Sequence, residues 1–157
     1  MNQKSTIVPE LKERQRWMRV LAMAPVTALE DAWQALDDRP DYTLLRAPEV
    51  GSAMVRARAG GSGGQFNMGE MTVTRCVVRL SNGTAGHAYV AGRDKRKTEL
   101  AAAFDAILQG EDRRIELLPS LIVPLENKQQ THRHIRAQKV QATRVNFFTM
   151  VRGDNQR

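Results

Sequence analysis

The run Met71-Thr72-Val73-Thr74-Arg75-Cys76-Val77-Val78-Arg79-Leu80-Ser81-Asn82-Gly83-Thr84-Ala85-Gly86-His87-Ala88-Tyr89-Val90 decides the fold. Its first ten residues alternate with the period of a strand: Thr72, Thr74, Cys76, Val78 and Leu80 fall on one side, and Met71, Val73, Arg75, Val77 and Arg79 on the other. Asn82-Gly83 is a strong hairpin signal, because a two-residue type I′ loop needs positive φ at both central positions. With those two residues as the loop, Leu80 faces Ala85, Val78 faces His87, Cys76 faces Tyr89 and Arg75 faces Val90. This register predicts that His87 and Tyr89 share a face with Cys76 and Val78. His87 then reads as a hydrogen-bonded core histidine, and Cys76 as a small buried hydrophobe. It also sets Val73, Val77, Ala88 and Val90 on the arginine side, a surface that fits a protein interface and a solvated face equally well.

Upstream, Ser52 to Ala59 alternates in the same way, with Ala53, Val55, Ala57 and Ala59 opposite Met54, Arg56 and Arg58. Between the two strands lies Gly60-Gly61-Ser62-Gly63-Gly64-Gln65-Phe66-Asn67-Met68-Gly69, which holds five of the chain's 11 glycines. It reads as a long hairpin loop packed on a neighbouring subunit, or as a cradle of backbone amides for phosphate. The named phosphate motifs fail here: Gly64 and Gly69 have P-loop spacing, but Glu70-Met71 stands where Lys-Ser/Thr is required. The candidate phosphate- or partner-binding residues are Arg56, Arg58, Gly60, Gly61, Gly63, Asn67, Glu70, Arg75 and Arg79. Whether the four arginines converge depends on how the strands register, and convergence would suit a triphosphate or a carboxylate-rich partner.

Helices flank this sheet. Residues 1–8 read as a loose tail, Pro9 can open a helix, and Leu11, Met18, Leu21 and Ala22 recur near helical spacing until Pro25 interrupts. Thr27 is placed to cap a second helix carrying Leu29, Trp33 and Leu36, and both tryptophans read as core. Asp94 is a plausible N-cap for the stripe Leu100, Ala103, Phe104, Ile107 and Leu108, stopped by Gly110. Leu117 to Leu125, with Pro119 and Pro124, reads as an irregular apolar connector. Residues 126–144 are basic and helical in pattern, and Val145 to Val151 is a strand candidate. The expectation is one α+β domain over residues 1–157, an antiparallel β-sheet with helices packed on one face.

At 157 residues the chain is long enough for one real core. No apolar run approaches the roughly 20 residues of a membrane helix and the start lacks a signal-peptide pattern, so a cytoplasmic location is expected. A single cysteine leaves no internal disulfide and no all-cysteine metal site from this chain alone. The net charge of +7 favours an acidic partner, and aromatics at 5% are thin for stacking single-stranded nucleic acid. Three motifs carry little. His132-Arg133-His134 offers no third metal ligand, Arg152-Gly153-Asp154 has no meaning as an adhesion tripeptide inside a cell, and a His87 and Glu70 acid/base pair needs a distance that spacing does not supply.

The segments Arg14-Gln15-Arg16-Trp17-Met18, Leu45-Arg46-Ala47-Pro48-Glu49-Val50-Gly51, the run from Arg56 to Arg75, Gly86-His87-Ala88-Tyr89-Val90-Ala91-Gly92-Arg93 and Phe147-Phe148-Thr149-Met150-Val151-Arg152-Gly153 together resemble the G subunit of the bacterial carbon-phosphorus lyase core complex, the PhnG family. The resemblance covers nearly the whole chain and is weakest over residues 111–143. It implies a partner in a complex with the H, I and J subunits, which with an ATPase-like L subunit takes ATP and an alkylphosphonate to adenine and an alkylphosphonate ribose 5-triphosphate in organic phosphonate catabolism. ATP, with Mg, is then a substrate of the complex. No cofactor is expected on this chain, no catalytic residue carries over to it, and the isolated chain is expected to lack activity. The alternative from another class is a small basic RNA-binding or protein-interaction module using residues 126–144.

Overall fold

The computed structural model describes residues 11–142. The expected tail at 1–8 and the strand candidate at 145–151 lie outside the described residues. Three strands, β1 (Tyr42–Arg58), β2 (Gln65–Leu80) and β3 (Ala85–Ala91), form one antiparallel sheet in the order β1-β2-β3. Helices α1 (Leu11–Met23), α2 (Val26–Gln34), α3 (Lys95–Leu108), α4 (Glu111–Leu117) and α5 (Val123–Ala142) complete the described chain. The architecture is the expected α+β one.

α3 is the organising element. From Leu100 to Leu108 every residue is buried, so the helix is enclosed all round, with the sheet on one side and α1, α2 and α4 on the others. Its start behaves as the sequence indicates: the Asp94 carboxylate accepts from Lys97 N at 2.9 Å. Ala101, Ala102, Ala103 and Ala106 keep it slim, and the sheet comes down on that surface at Gly86. A methyl group built on Gly86 would lie 2.1 Å from the Ala102 carbonyl and 2.7 Å from Ala106 Cβ, so only glycine fits. Trp17 is fully buried, and Trp33 makes edge-on contacts with Tyr42 at 5.7 Å and Phe104 at 5.6 Å, so both tryptophans serve the core.

The structure corrects the hairpin register by one residue. Gly83 N donates to Leu80 O and Leu80 N to Thr84 O, both at 2.9 Å, so Ser81, Asn82 and Gly83 make a three-residue loop with only Gly83 at positive φ (88°). The pairs become Val78↔Gly86, Val77↔His87, Cys76↔Ala88, Arg75↔Tyr89 and Thr74↔Val90. A one-residue slip exchanges faces. Ala88 and Val90 therefore join Cys76 and Val78 in the core, while His87 and Tyr89 stand on the outward face with Arg75, Val77 and Arg79.

Other boundaries shift for local reasons. β1 begins ten residues before Ser52, because an edge strand tolerates Pro48 where register shifts at Leu44/Arg46 and Arg46/Glu49 relax the ladder. Half of the glycine-rich stretch, from Gln65 to Gly69, is strand: pairing runs to Arg58↔Gln65, leaving residues 59–64 as loop, with Gly60 and Gly61 at φ 58° and 82°. Pro25, not Thr27, caps α2, and no side chain caps it. Leu117 to Leu125 is not irregular: Leu118–Ile122 forms a π turn that joins α4 to α5, and its wider ladder accommodates Pro119, which lacks an amide donor. Residues 126–142 are helical as expected.

Candidate functional site

Two features stand out, a buried ionic hub and a projecting arm. The hub centres on Asp105, whose side chain is fully buried in the middle of α3. Its oxygens accept from Arg14 Nε (3.1 Å) and Nη2 (2.7 Å), from Trp17 Nε1 (2.9 Å) and from the His87 backbone N (3.0 Å). A carboxylate in the interior is tolerable only when so completely satisfied. Arg14 Nη2 also lies 3.0 Å from His87 Nδ1; a guanidinium only donates, so in this contact Nδ1 is the acceptor. The expected core histidine is in fact half exposed; its backbone amide is hydrogen-bonded to the buried acid, and its ring Nδ1 lies 3.6 Å from the same oxygen.

Sequence reasoning missed Asp105. The available signal was a lone carboxylate inside Leu100 to Leu108, a run otherwise apolar, which in a helix buried all round demands partners. The hub ties α1, β3 and α3 together and draws on Arg14, Trp17 and His87, all within segments that carry the family resemblance.

The arm is the outer part of the β1–β2 hairpin. β3 ends opposite Val73, so from Met71 back to Gln65 strand β2 has β1 as its sole neighbour among the described residues, over about 20 Å at 3.3 Å per residue. Met54, Phe66, Met68 and Met71 are each at least 40% exposed there. A bulge between Val55 and Arg56 leaves Met68 unpaired. At the tip Arg58 Nη1 reaches Gly63 O at 3.4 Å. A methyl group on Gly63 would lie 2.5 Å from the Ala59 carbonyl, which holds this loop closed.

The predicted residues do not gather into one site. Arg75 pairs with Glu49 at 2.5 Å on the outward face, with Arg46 3.5 Å from the same oxygen, and the hydrogen bond to Glu49 holds the Arg75 guanidinium above its ordinary range. These side chains are all more than 40% exposed, and such a cluster contributes little to stability. Arg79 stands opposite Thr43 on the same face. Arg56 and Arg58 alternate onto the other face, and Arg58 is nine residues, about 30 Å, from Glu49. Gly60, Gly61 and Gly63 form the tip, whereas Asn67 (opposite Arg56) and Glu70 (opposite Met54) are strand residues. The four arginines therefore form two separate pairs. His87 and Glu70 are likewise apart: Glu70 lies seven residues along β2 from His87's partner Val77, about 23 Å, and on the opposite face.

α5 runs beside α1, joined by Arg16 and Arg19 to Glu126 (2.5 and 3.5 Å) and by Gln129 Nε2 to Val20 O (2.9 Å). The Arg16 contact holds the Glu126 carboxyl below its usual range. His132 and His134, two positions apart on a helix, point about 200° from each other. Among the described residues no group of three metal-ligating side chains occurs, and no described helix is long and apolar enough to cross a membrane.

Fold and surface together define a small basic α+β body with an exposed arm and, among its described residues, no gathered set of reacting groups. The family model "Phosphonate metabolism protein PhnG" matches residues 12–153. The chain belongs to that family. It is also similar, at 43% identity over 145 residues covering 91% of each chain, to the alpha-D-ribose 1-methylphosphonate 5-triphosphate synthase subunit PhnG of Rhizobium meliloti (strain 1021).

Proposed function

We propose that this chain is a non-catalytic, site-completing subunit of the complex that displaces adenine from ATP with an alkylphosphonate to give the alkylphosphonate ribose 5-triphosphate. Its partners in this reading are the H, I and J subunits, with the L subunit needed for activity, and the arm seats in the I subunit. ATP with Mg enters as substrate of the complex. The observation that carries the reading is the arm itself. A lone two-stranded ribbon is marginal in water, and this one exposes Met54, Phe66, Met68 and Met71 along its length, so it is built to be covered by another polypeptide. Both reactants are polyanions, and displacement at the ribose anomeric carbon demands positioning and desolvation more than a covalent helper. Arg56 and Arg58 on the arm supply cations that can reach a neighbour's site; Arg75, already held by Glu49, is the weaker candidate.

The test is adenine release from ATP and methylphosphonate by the chain alone and by the assembled complex. The lone chain is expected to release none, and measurable release would overturn its non-catalytic role. Phe66→Ser with Met68→Ser is expected to abolish co-purification with the other subunits. Arg58→Glu is expected to weaken co-purification or ATP use at least about tenfold, a loss of about 1.4 kcal/mol, while Arg75→Glu has a smaller effect. Wild-type assembly and kinetics in the arm variants would remove the arm from the reading.

A further inference from the structure

The ladder between β2 and β3 assigns every backbone group on the free edge of β3. Gly92 N donates to Thr72 O and Leu80 N to Thr84 O, so the in-register pairs between them, Val78↔Gly86, Cys76↔Ala88 and Thr74↔Val90, are those that exchange hydrogen bonds. The N–H and C=O groups of Ala85, His87, Tyr89 and Ala91 consequently point away from the sheet. Side chains of α3 occupy two of them: Ala85 O accepts from Gln109 Nε2 at 2.8 Å, and His87 N donates to Asp105 Oδ2 at 3.0 Å. Asp105 and Gln109, one helical turn apart, thus cap the first half of the edge. The second half, made of the carbonyls of His87 and Tyr89 and the amides of Tyr89 and Ala91, has no such cap among the described residues. A half-covered edge is a template for one more short strand.

Beside the open half lies a groove of about 200 Å³ lined by Met18, Leu21, Ala22, Ala101 and Arg19. Its charged and titratable lining groups are Arg19, His87 and Tyr89, with no carboxylate among them. Arg19 shares Glu126 with Arg16 and is the more loosely held of the two, at 3.5 Å against 2.5 Å and 57% exposed. We propose that this half-edge and groove receive an extended, acidic segment of a different polypeptide of the complex, added to the sheet as a short strand beside Tyr89. Charge selects the occupant. A second copy carries +7, and residues 143–157 of this chain hold three arginines against one aspartate. The inference rests on the chain being an assembly subunit, and it concerns a surface separate from the arm.

Residue-resolved hydrogen exchange on the full chain, alone and in the assembled complex, tests it. The His87 amide, bound to Asp105, is expected to exchange slowly in both states. The Tyr89 and Ala91 amides are expected to exchange fast in the free chain and at least about tenfold more slowly in the complex. Fast exchange at both positions within the assembled complex overturns the proposal. So does slow exchange in the free chain, independent of concentration if its own terminus fills the groove and concentration-dependent if a second copy does. Tyr89→Pro deletes an amide that makes no bond to β2, and is expected to weaken assembly at least about tenfold, whereas Tyr89→Ala, which keeps the amide, stays within about twofold. Arg19→Glu is expected to weaken assembly as well, and equal assembly by Tyr89→Pro, Tyr89→Ala and Arg19→Glu counts against the site. Arm variants that fail to assemble leave the free chain's exchange pattern unchanged, so the two readings fail separately.

Discussion

At the scale of single residues, Asp105 shows how one polar group is kept inside an apolar helix. Four hydrogen bonds from three residues on α1 and β3 replace the water it has lost. Removing a partner exposes the imbalance: Arg14→Met leaves a buried carboxylate without its counter-charge and is expected to destabilise by about 3 to 5 kcal/mol. Asp105→Leu instead strands the Trp17 indole N–H and the His87 amide, each costing about 1 to 3 kcal/mol. The double variant Arg14→Met, Asp105→Leu is expected to be markedly more stable than the sum of the two singles, measured as midpoint shifts in urea. Additive losses would mean that the hub is not a coupled unit.

At the scale of elements, the contact between β3 and α3 depends on two small surfaces meeting. Gly86→Ala forces a methyl group into the Ala102 backbone, and at least about 3 kcal/mol of stability is expected to be lost; Gly51→Ala, with nothing within 4 Å, is expected to change stability by less than about 0.5 kcal/mol. Thermal unfolding of the two variants decides this, and similar melting temperatures would refute the close packing. The same hairpin shows where sequence is a sufficient guide. Alternation from Thr72 to Leu80 marks the strand and its buried side correctly, because that pattern is enforced by the core. The loop does not, since Ser81-Asn82-Gly83 closes equally well with two or three residues, and the choice is made by whether Ala88 and Val90 or His87 and Tyr89 meet α3. The arm was legible as two strands with glycines between them but not in its length, because pairing from Gln65 to Gly69 is set by β1 rather than by any apolar face of its own. The candidate site divided for the same reason: four arginines on two strands share a site only if register and bulges agree, and those are long-range properties.

At the scale of the whole molecule, two weak acids, Cys76 and Tyr42, lower stability as pH rises into the alkaline range, while Lys97, whose ammonium pKa is shifted downward by burial, acts in the opposite sense. Burial raises the Cys76 thiol from 9.0 to about 11, and burial with the hydrogen bond to Glu99 raises the Tyr42 hydroxyl from 10.0 to about 12. In each case the folded state holds its proton after the unfolded chain has lost it, so unfolding releases protons in that window and stability falls with rising pH. The stabilisation from Cys76 is complete below pH 9 and is lost as pH climbs to about 11; that from Tyr42 is lost between 10 and about 12. The contribution of these two acids to the free energy of unfolding is therefore expected to be flat from pH 7 to 9, then to decline steadily. Cys76→Ala deletes the Cys76 component: the variant starts less stable, from the lost packing atom, and its deficit against the wild type narrows between pH 9 and about 11. Urea unfolding at half-unit intervals between pH 8 and 11 resolves the two slopes. Parallel curves for wild type and Cys76→Ala would show that the thiol titrates alike in both states and is not enclosed as the packing of β2 against α3 requires.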